Sequence, residues 1–115
     1  MNLLDTDIII ELLRKKEHEV GAISTISLIE VLRGLGAEKR AKAKELLEES
    51  FTIQVIDNTI IETYCSLYRE LRKEGTQIPD ADLLIAATAI SNSMPLKTGD
   101  EHFERLTTYG LKVAT

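Results

Sequence analysis

Apolar residues along this chain fall alternately into short runs and helical stripes. The segment 1–4 is short and apolar, which predicts a buried strand. Over 7–17, Ile8 with Leu12 and Ile9 with Leu13 recur on related turns and predict a helix. A second short strand is expected at 20–24, followed by a helix over 26–35 that stops at the Gly34/Gly36 pair. Ala37–Ser50 is rich in Lys, Glu and Ala, with an apolar edge at Ala43, Leu46 and Leu47, which reads as a helix with exposed charge. The β-branched and aromatic run 51–56 (FTIQVI) is the clearest strand. Asn58–Glu74 carries Ile60, Ile61, Tyr64, Leu67, Tyr68 and Leu71 on an amphipathic helix that Gly75 ends. Residues 80–93 predict a smooth apolar helix in which Ala86, Ala87 and Ala89 permit close approach of a neighbouring helix or sheet. A strand at 94–98, a short helix at 101–106 and a last strand at 111–114 follow.

Strands thus alternate with helices almost throughout, with no internal repeat, low-complexity tract or long linker. This predicts an α/β fold: one domain over 1–115, with a central parallel sheet of four to five strands flanked by helices on both faces. In such sheets the ligand crevice lies beyond the carboxyl ends of the strands. Residues that immediately follow a strand are therefore where chemistry is expected.

Composition narrows the class. The 115 residues suit one core, and 43% hydrophobic with 29% charged residues describes a globular rather than a disordered chain. No apolar run approaches the roughly 20 residues that span a bilayer. The opening MNLLD lacks a leader signature, so the expected location is cytoplasmic, without a membrane partner. Cys65, the single cysteine, excludes an intrachain disulfide and a thiolate zinc cluster. Its place among Ile61, Tyr64 and Tyr68 predicts a buried, inert thiol. A net charge of −5 is unlike that of most nucleic-acid binders. Bound cations would neutralise a carboxylate cluster, however, so charge does not exclude a metal-dependent nuclease.

Four acids stand where the crevice is expected. Asp5 follows the first strand (LLDTD), Glu30 lies one turn into the helix after the second (STISLIEVLRG), Asp82 lies in the first turn of DADLLIAA, and Asp100 follows the fourth strand (LKTGD). Each alone has a simple explanation as a helix cap or dipole partner. Thr25 or Ser27 is a candidate cap for the second helix, Asp80 for the helix after Pro79, and Ser27 with Glu30 has capping-box spacing. The set is harder to explain that way, because capping needs one acid per helix and the start at Asp80 and Asp82 has two. Carboxylates brought to one rim repel one another unless protonated or paired with a cation. No Lys or Arg immediately flanks Asp5, Glu30 or Asp82. A hard divalent metal held by oxygen ligands, Mg²⁺ or Mn²⁺, resolves the conflict and can activate water toward a phosphate.

At these residues the sequence resembles the PIN-domain ribonucleases, specifically the VapC-type toxins of toxin–antitoxin pairs. LLDTDIIIELLR is similar to the family's opening strand, catalytic Asp and first helix; SLIEVLRG to the segment with its second acid; DADLLIAATA to the helix with its third; and TGDEHFERL to its Thr-x-Asp segment. The resemblance covers almost the whole chain. It implies a Mg²⁺- or Mn²⁺-dependent endoribonuclease that hydrolyses RNA with a metal-activated water. Asp5, Glu30, Asp82 and Asp100 would be catalytic metal-binding residues and Thr98 a supporting hydroxyl. It also implies a homodimer held inactive by a cognate VapB-type antitoxin. Asp7 departs from the family, which often has Asn or Ser there, and reads as a helix cap or an outer-shell ligand. Lys97 stands where an apolar residue is commoner, and reads as a phosphate contact or the partner of a site acid.

Other residues carry less. Arg33 reads equally as a carboxylate partner, an antitoxin contact or a solvated charge. Lys39, Arg40, Lys42, Lys44, Arg69, Arg72 and Lys73 are interspersed with Glu and read as helix-surface charge rather than a phosphate track. His102 has no nearby second His or Cys, which argues against zinc, and His18 reads as surface. Asp57 is expected to cap the helix that follows. Leu12, Leu13, Leu32 and Leu35 suit either an antitoxin groove or core packing. The competing readings are a stand-alone PIN-domain RNA-processing nuclease, a receiver-like phosphoacceptor domain with Asp57 as acceptor, a dehalogenase-like phosphatase built on LLDTD, and a non-catalytic partner-binding domain. The receiver needs a Thr and a Lys at the ends of two later strands, whereas Thr88 is mid-helix and no Lys follows the last strand. The phosphatase fold is too long for 115 residues and leaves Asp82 without a role.

Overall fold

Four parallel strands form the sheet, in the order β3-β2-β1-β4: β1 (Leu3–Leu4), β2 (Ala22–Ser24), β3 (Thr52–Gln54) and β4 (Leu96–Lys97). The computed structural model describes residues 1–114. Helices α1 (Thr6–Lys15), α2 (Thr25–Leu32), α3 (Ala37–Ser50), α4 (Asn58–Glu74) and α5 (Asp80–Ser91) connect and cover the strands, and a 3₁₀ helix spans Glu101–Tyr109. The expected α/β architecture with helices on both faces is what forms. Its layering follows from the two-residue period of a strand. Leu3 and Ala22 face one core, with Ile60, Leu67 and Leu71 of α4, most of α5, and Phe103 and Leu106. Leu4 and Ile23 face the other, with Ile9 and Leu12 of α1, Leu32 of α2 and Leu47 of α3.

Several local expectations are corrected by tertiary contacts. The run 51–56, the clearest strand by propensity, contributes only Thr52–Gln54 at the sheet edge, and its Val55 is exposed. The segment 111–114 makes one bridge, Leu96 to Val113, rather than a strand. The segment 101–106 is a 3₁₀ helix that runs on to Tyr109. Cys65 is exposed, not buried. α4 turns Ile60, Leu67 and Leu71 inward, which at about 100° per residue leaves Ile61, Cys65 and Tyr68 outward.

Leu12 and Leu32 are core residues, with Leu13 and Leu35 packed against them, so these side chains are spent on packing. α5 is the most enclosed helix, burying Leu83, Ile85, Ala86, Ala87, Thr88 and Ala89. Its small side chains let it seat between α4 and the sheet. Thr88 satisfies its hydroxyl within the helix by donating to Leu84 O at 2.8 Å.

Candidate metal centre

Asp5, Ser24 and Thr98 leave the ends of β1, β2 and β4, and because the strands are parallel these ends share one edge of the sheet. Asp5 is the N-cap of α1, its Oδ1 accepting from Thr6 N at 2.8 Å. Its Oδ2 accepts from Thr98 Oγ1 at 2.7 Å. Only 6% of Asp5 is exposed. Burial pushes its carboxyl up to about 6, opposed by the Thr98 and Thr6 hydrogen bonds and assisted by the charge of Asp7.

Ser24, not Thr25 or Ser27, caps α2, its hydroxyl accepting from Ser27 N at 3.1 Å. One turn on, Glu30 Oε1 accepts from Thr6 Oγ1 at 2.7 Å. Thr6 Oγ1 also lies 3.0 Å from Ser27 Oγ, whose rotatable hydroxyl supplies the second hydrogen of the pair. Arg33 reaches Glu30 only at 4.0 Å from a largely exposed side chain, a weak contact.

Asp82 enters from the first turn of α5, whose N-cap is Pro79 rather than Asp80. Asp80 instead accepts from Tyr64 Oη at 2.7 Å, which holds the phenol up at about 12. Burial raises the Asp82 carboxyl; His102 opposes the rise, while the charges of Glu30 and Asp100 add to it. Asp100 caps the 3₁₀ helix, its Oδ1 accepting from His102 N at 3.1 Å, and its own N–H donates to Thr98 Oγ1 at 3.0 Å.

Asp82, Asp100 and His102 each offer a ligand atom, all within 4.8 Å of one another. Asp5 and Glu30 stand beside this group and connect to it through Thr98 and through the field that Glu30 exerts on Asp82. His102 is the residue that sequence reasoning set aside. The absence of a second His or Cys argued against zinc, but Asp82 arrives from another helix. Position 102, two residues into the helix that Asp100 caps, was the available signal.

Asp7 is not the cap of α1; its Oδ1 accepts from Ile8 N at 2.9 Å, and its Oδ2 lies 3.2 Å from where a Cβ on residue 99 would sit, which favours Gly99 there. Lys97 pairs with Glu19 at 2.7 Å and not with a site acid. Asp57 caps α4 through Ile60 N at 2.9 Å, as expected. His18 is exposed, as expected.

The donor set fits a divalent metal. Carboxylate oxygens and one imidazole converge, two carboxyls are pushed up by burial, and the buried Nε2 of His102 has no hydrogen-bond partner among the described residues.

The PIN domain family model matches residues 3–108. The chain belongs to the PIN domain family. Ribonuclease VapC1 of Methanocaldococcus jannaschii is 42% identical over 115 residues, covering 96% of this chain and 85% of that protein. The structure of VapBC-1 from nontypeable Haemophilus influenzae matches with a TM-score of 0.82 at 27% identity, covering 98% of this chain and 96% of that one. DNA-bound VapBC from Salmonella typhimurium matches with a TM-score of 0.83 at 22% identity, covering 99% and 98%, a likeness of fold. PIN nucleases depend on metal, and the acidic edge of this PIN domain is where one fits.

Proposed function

We propose that this PIN domain, residues 1–115, is a divalent-metal-dependent endoribonuclease of the VapC type, the toxin of a type II toxin–antitoxin pair. The observation that carries the reading is the grouping of Asp82 with Asp100, tied through Thr98 to Asp5 at the exit of β1, where burial raises the Asp5 and Asp82 carboxyls. Similarity to a ribonuclease and to VapBC structures supports RNA as substrate and a VapB-type antitoxin as partner. On this reading the chain acts in the cytoplasm as a homodimer; no described helix is long and apolar enough to cross a membrane.

Asp5, Glu30, Asp82 and Asp100 hold Mg²⁺ or Mn²⁺, directly or through water. The metal supplies a more acidic water and neutralises charge developing on the phosphate. The protein contributes position. Thr98 fixes the Asp5 carboxylate at the exit of β1, and Thr6 fixes Glu30. Burial of Asp5 limits competing hydration, which strengthens every charge interaction made there.

The test is RNA cleavage by the purified chain with Mg²⁺ or Mn²⁺ and with chelator. Cleavage is expected only with metal, and Asp5→Asn or Asp82→Asn should abolish it while circular dichroism is unchanged. Metal-independent cleavage, or full activity in both variants, would sink the mechanism.

A further inference from the structure

The family reading above assigns four acids to the metal. His102 has no role in it, yet its ring lies between two of them. Its Nδ1 is 2.5 Å from Asp100 Oδ1, and its Nε2 is 3.1 Å from Asp82 Oδ2. Both contacts are close approaches of a ring nitrogen to a carboxylate oxygen. Nδ1 faces a carboxylate at strong hydrogen-bond distance. Nε2 is closed off from water and makes no hydrogen bond, because its approach to Asp82 lacks the required direction.

The ring is also held rigidly. It stacks on Phe103 with centroids 4.8 Å apart and planes 23° from parallel, and Phe103 and Leu106 anchor the 3₁₀ helix in the core. Both side chains are fully buried, so the ring sits on a fixed support.

This arrangement resembles what a metal-bound histidine needs: one ring nitrogen held against a carboxylate, which sets the orientation of the ring, and the other free to bind. The separation from Asp82 fits as well. Two ligands bound to one metal at about 2.1 Å and at right angles stand about 3.0 Å apart; Nε2 and Asp82 Oδ2 are 3.1 Å apart.

We propose that His102 is a direct nitrogen ligand, sharing one metal with Asp82, and that Asp100 acts chiefly by orienting the imidazole. The inference deepens the metal-dependent reading and rests on it. Its consequence is selectivity. An imidazole suits first-row transition metals, whereas Mg²⁺ favours oxygen alone. The site therefore prefers Mn²⁺ to Mg²⁺ by more than four acids alone would.

The experiment uses the untagged full chain without RNA. Mn²⁺ and Mg²⁺ affinities are measured by calorimetry, and nitrogen coupling to bound Mn²⁺ by electron spin-echo spectroscopy. The wild-type protein should show imidazole coupling. His102→Ala should lose it and weaken Mn²⁺ binding about 10–100-fold, with a smaller effect on Mg²⁺. His102→Asp, which replaces the nitrogen by oxygen and guards against a folding defect in the first variant, should bind metal without coupling and shift preference toward Mg²⁺.

Absence of coupling in the wild-type protein, its survival in His102→Ala through His18, or an unchanged Mn²⁺/Mg²⁺ ratio overturns the proposal. RNA cleavage without nitrogen coupling would reject this inference and leave the nuclease standing. Coupling with the expected selectivity but no RNA cleavage would do the reverse.

Discussion

Thr98 Oγ1 donates a 2.7 Å hydrogen bond to Asp5 Oδ2 across 93 residues of sequence, tying the exit of β4 to the exit of β1. The same oxygen accepts from Asp100 N at 3.0 Å, so one hydroxyl sets the positions of two acids. Thr98→Val keeps the shape and removes both interactions. We expect metal affinity or RNA turnover to fall about 10–100-fold, as for other partners of metal ligands, with the fold retained. Titration calorimetry and cleavage rates check it.

The buried Asp5 makes stability depend on pH in a defined direction. Its folded carboxyl titrates at about 6, above the ordinary 3.8, so the folded state binds the proton more tightly than the unfolded state. The resulting stabilisation is complete below pH 3.8 and is lost as pH rises through about 6. The raised Asp82 carboxyl acts in the same direction. Metal-free protein in chelator should therefore lose melting temperature from pH 5 to 7.5 through these groups, and Asp5→Asn should flatten part of the fall. Added Mn²⁺ should stabilise more at pH 7.5 than at pH 5, because its ligands must be deprotonated. A chelated wild-type protein whose melting profile matches that of Asp5→Asn at every pH would contradict this account.

Glu30 depends on Thr6. Thr6→Val removes the 2.7 Å bond to Glu30 Oε1 and leaves Ser27 Oγ without its neighbour. Loss of a hydrogen bond to a charged group costs about 1.5–3 kcal/mol. Cleavage should slow by at least tenfold, while Thr6→Ser, which keeps the hydroxyl, should retain most of the rate. Equal losses in the two variants would point to packing rather than to the bond.

α5 carries Asp82 only as long as it seats closely against α4 and the sheet. Ala87 is fully buried, and Ala87→Leu should destabilise the domain by about 1–3 kcal/mol through overpacking. Urea unfolding measures it. Asp57→Ala, which removes the cap of α4, should cost about 1 kcal/mol and leave cleavage by the folded fraction unchanged.

The sequence by itself determined the alternation of strand and helix, and with it the parallel sheet at whose carboxyl edge Asp5 stands. Those features are local: an apolar run, a helical stripe or a motif is complete within a few residues. Tertiary structure decided what depends on neighbours far along the chain. It made FTIQVI a short edge strand, turned Cys65 outward, and gave the cap of α1 to Asp5 rather than Asp7. It also drew His102 against Asp82, a residue 20 positions away on another helix. Sequence pattern reports which side chains want burial, but which polar atoms then meet depends on packing, because distance in space is set by the sheet and not by the chain.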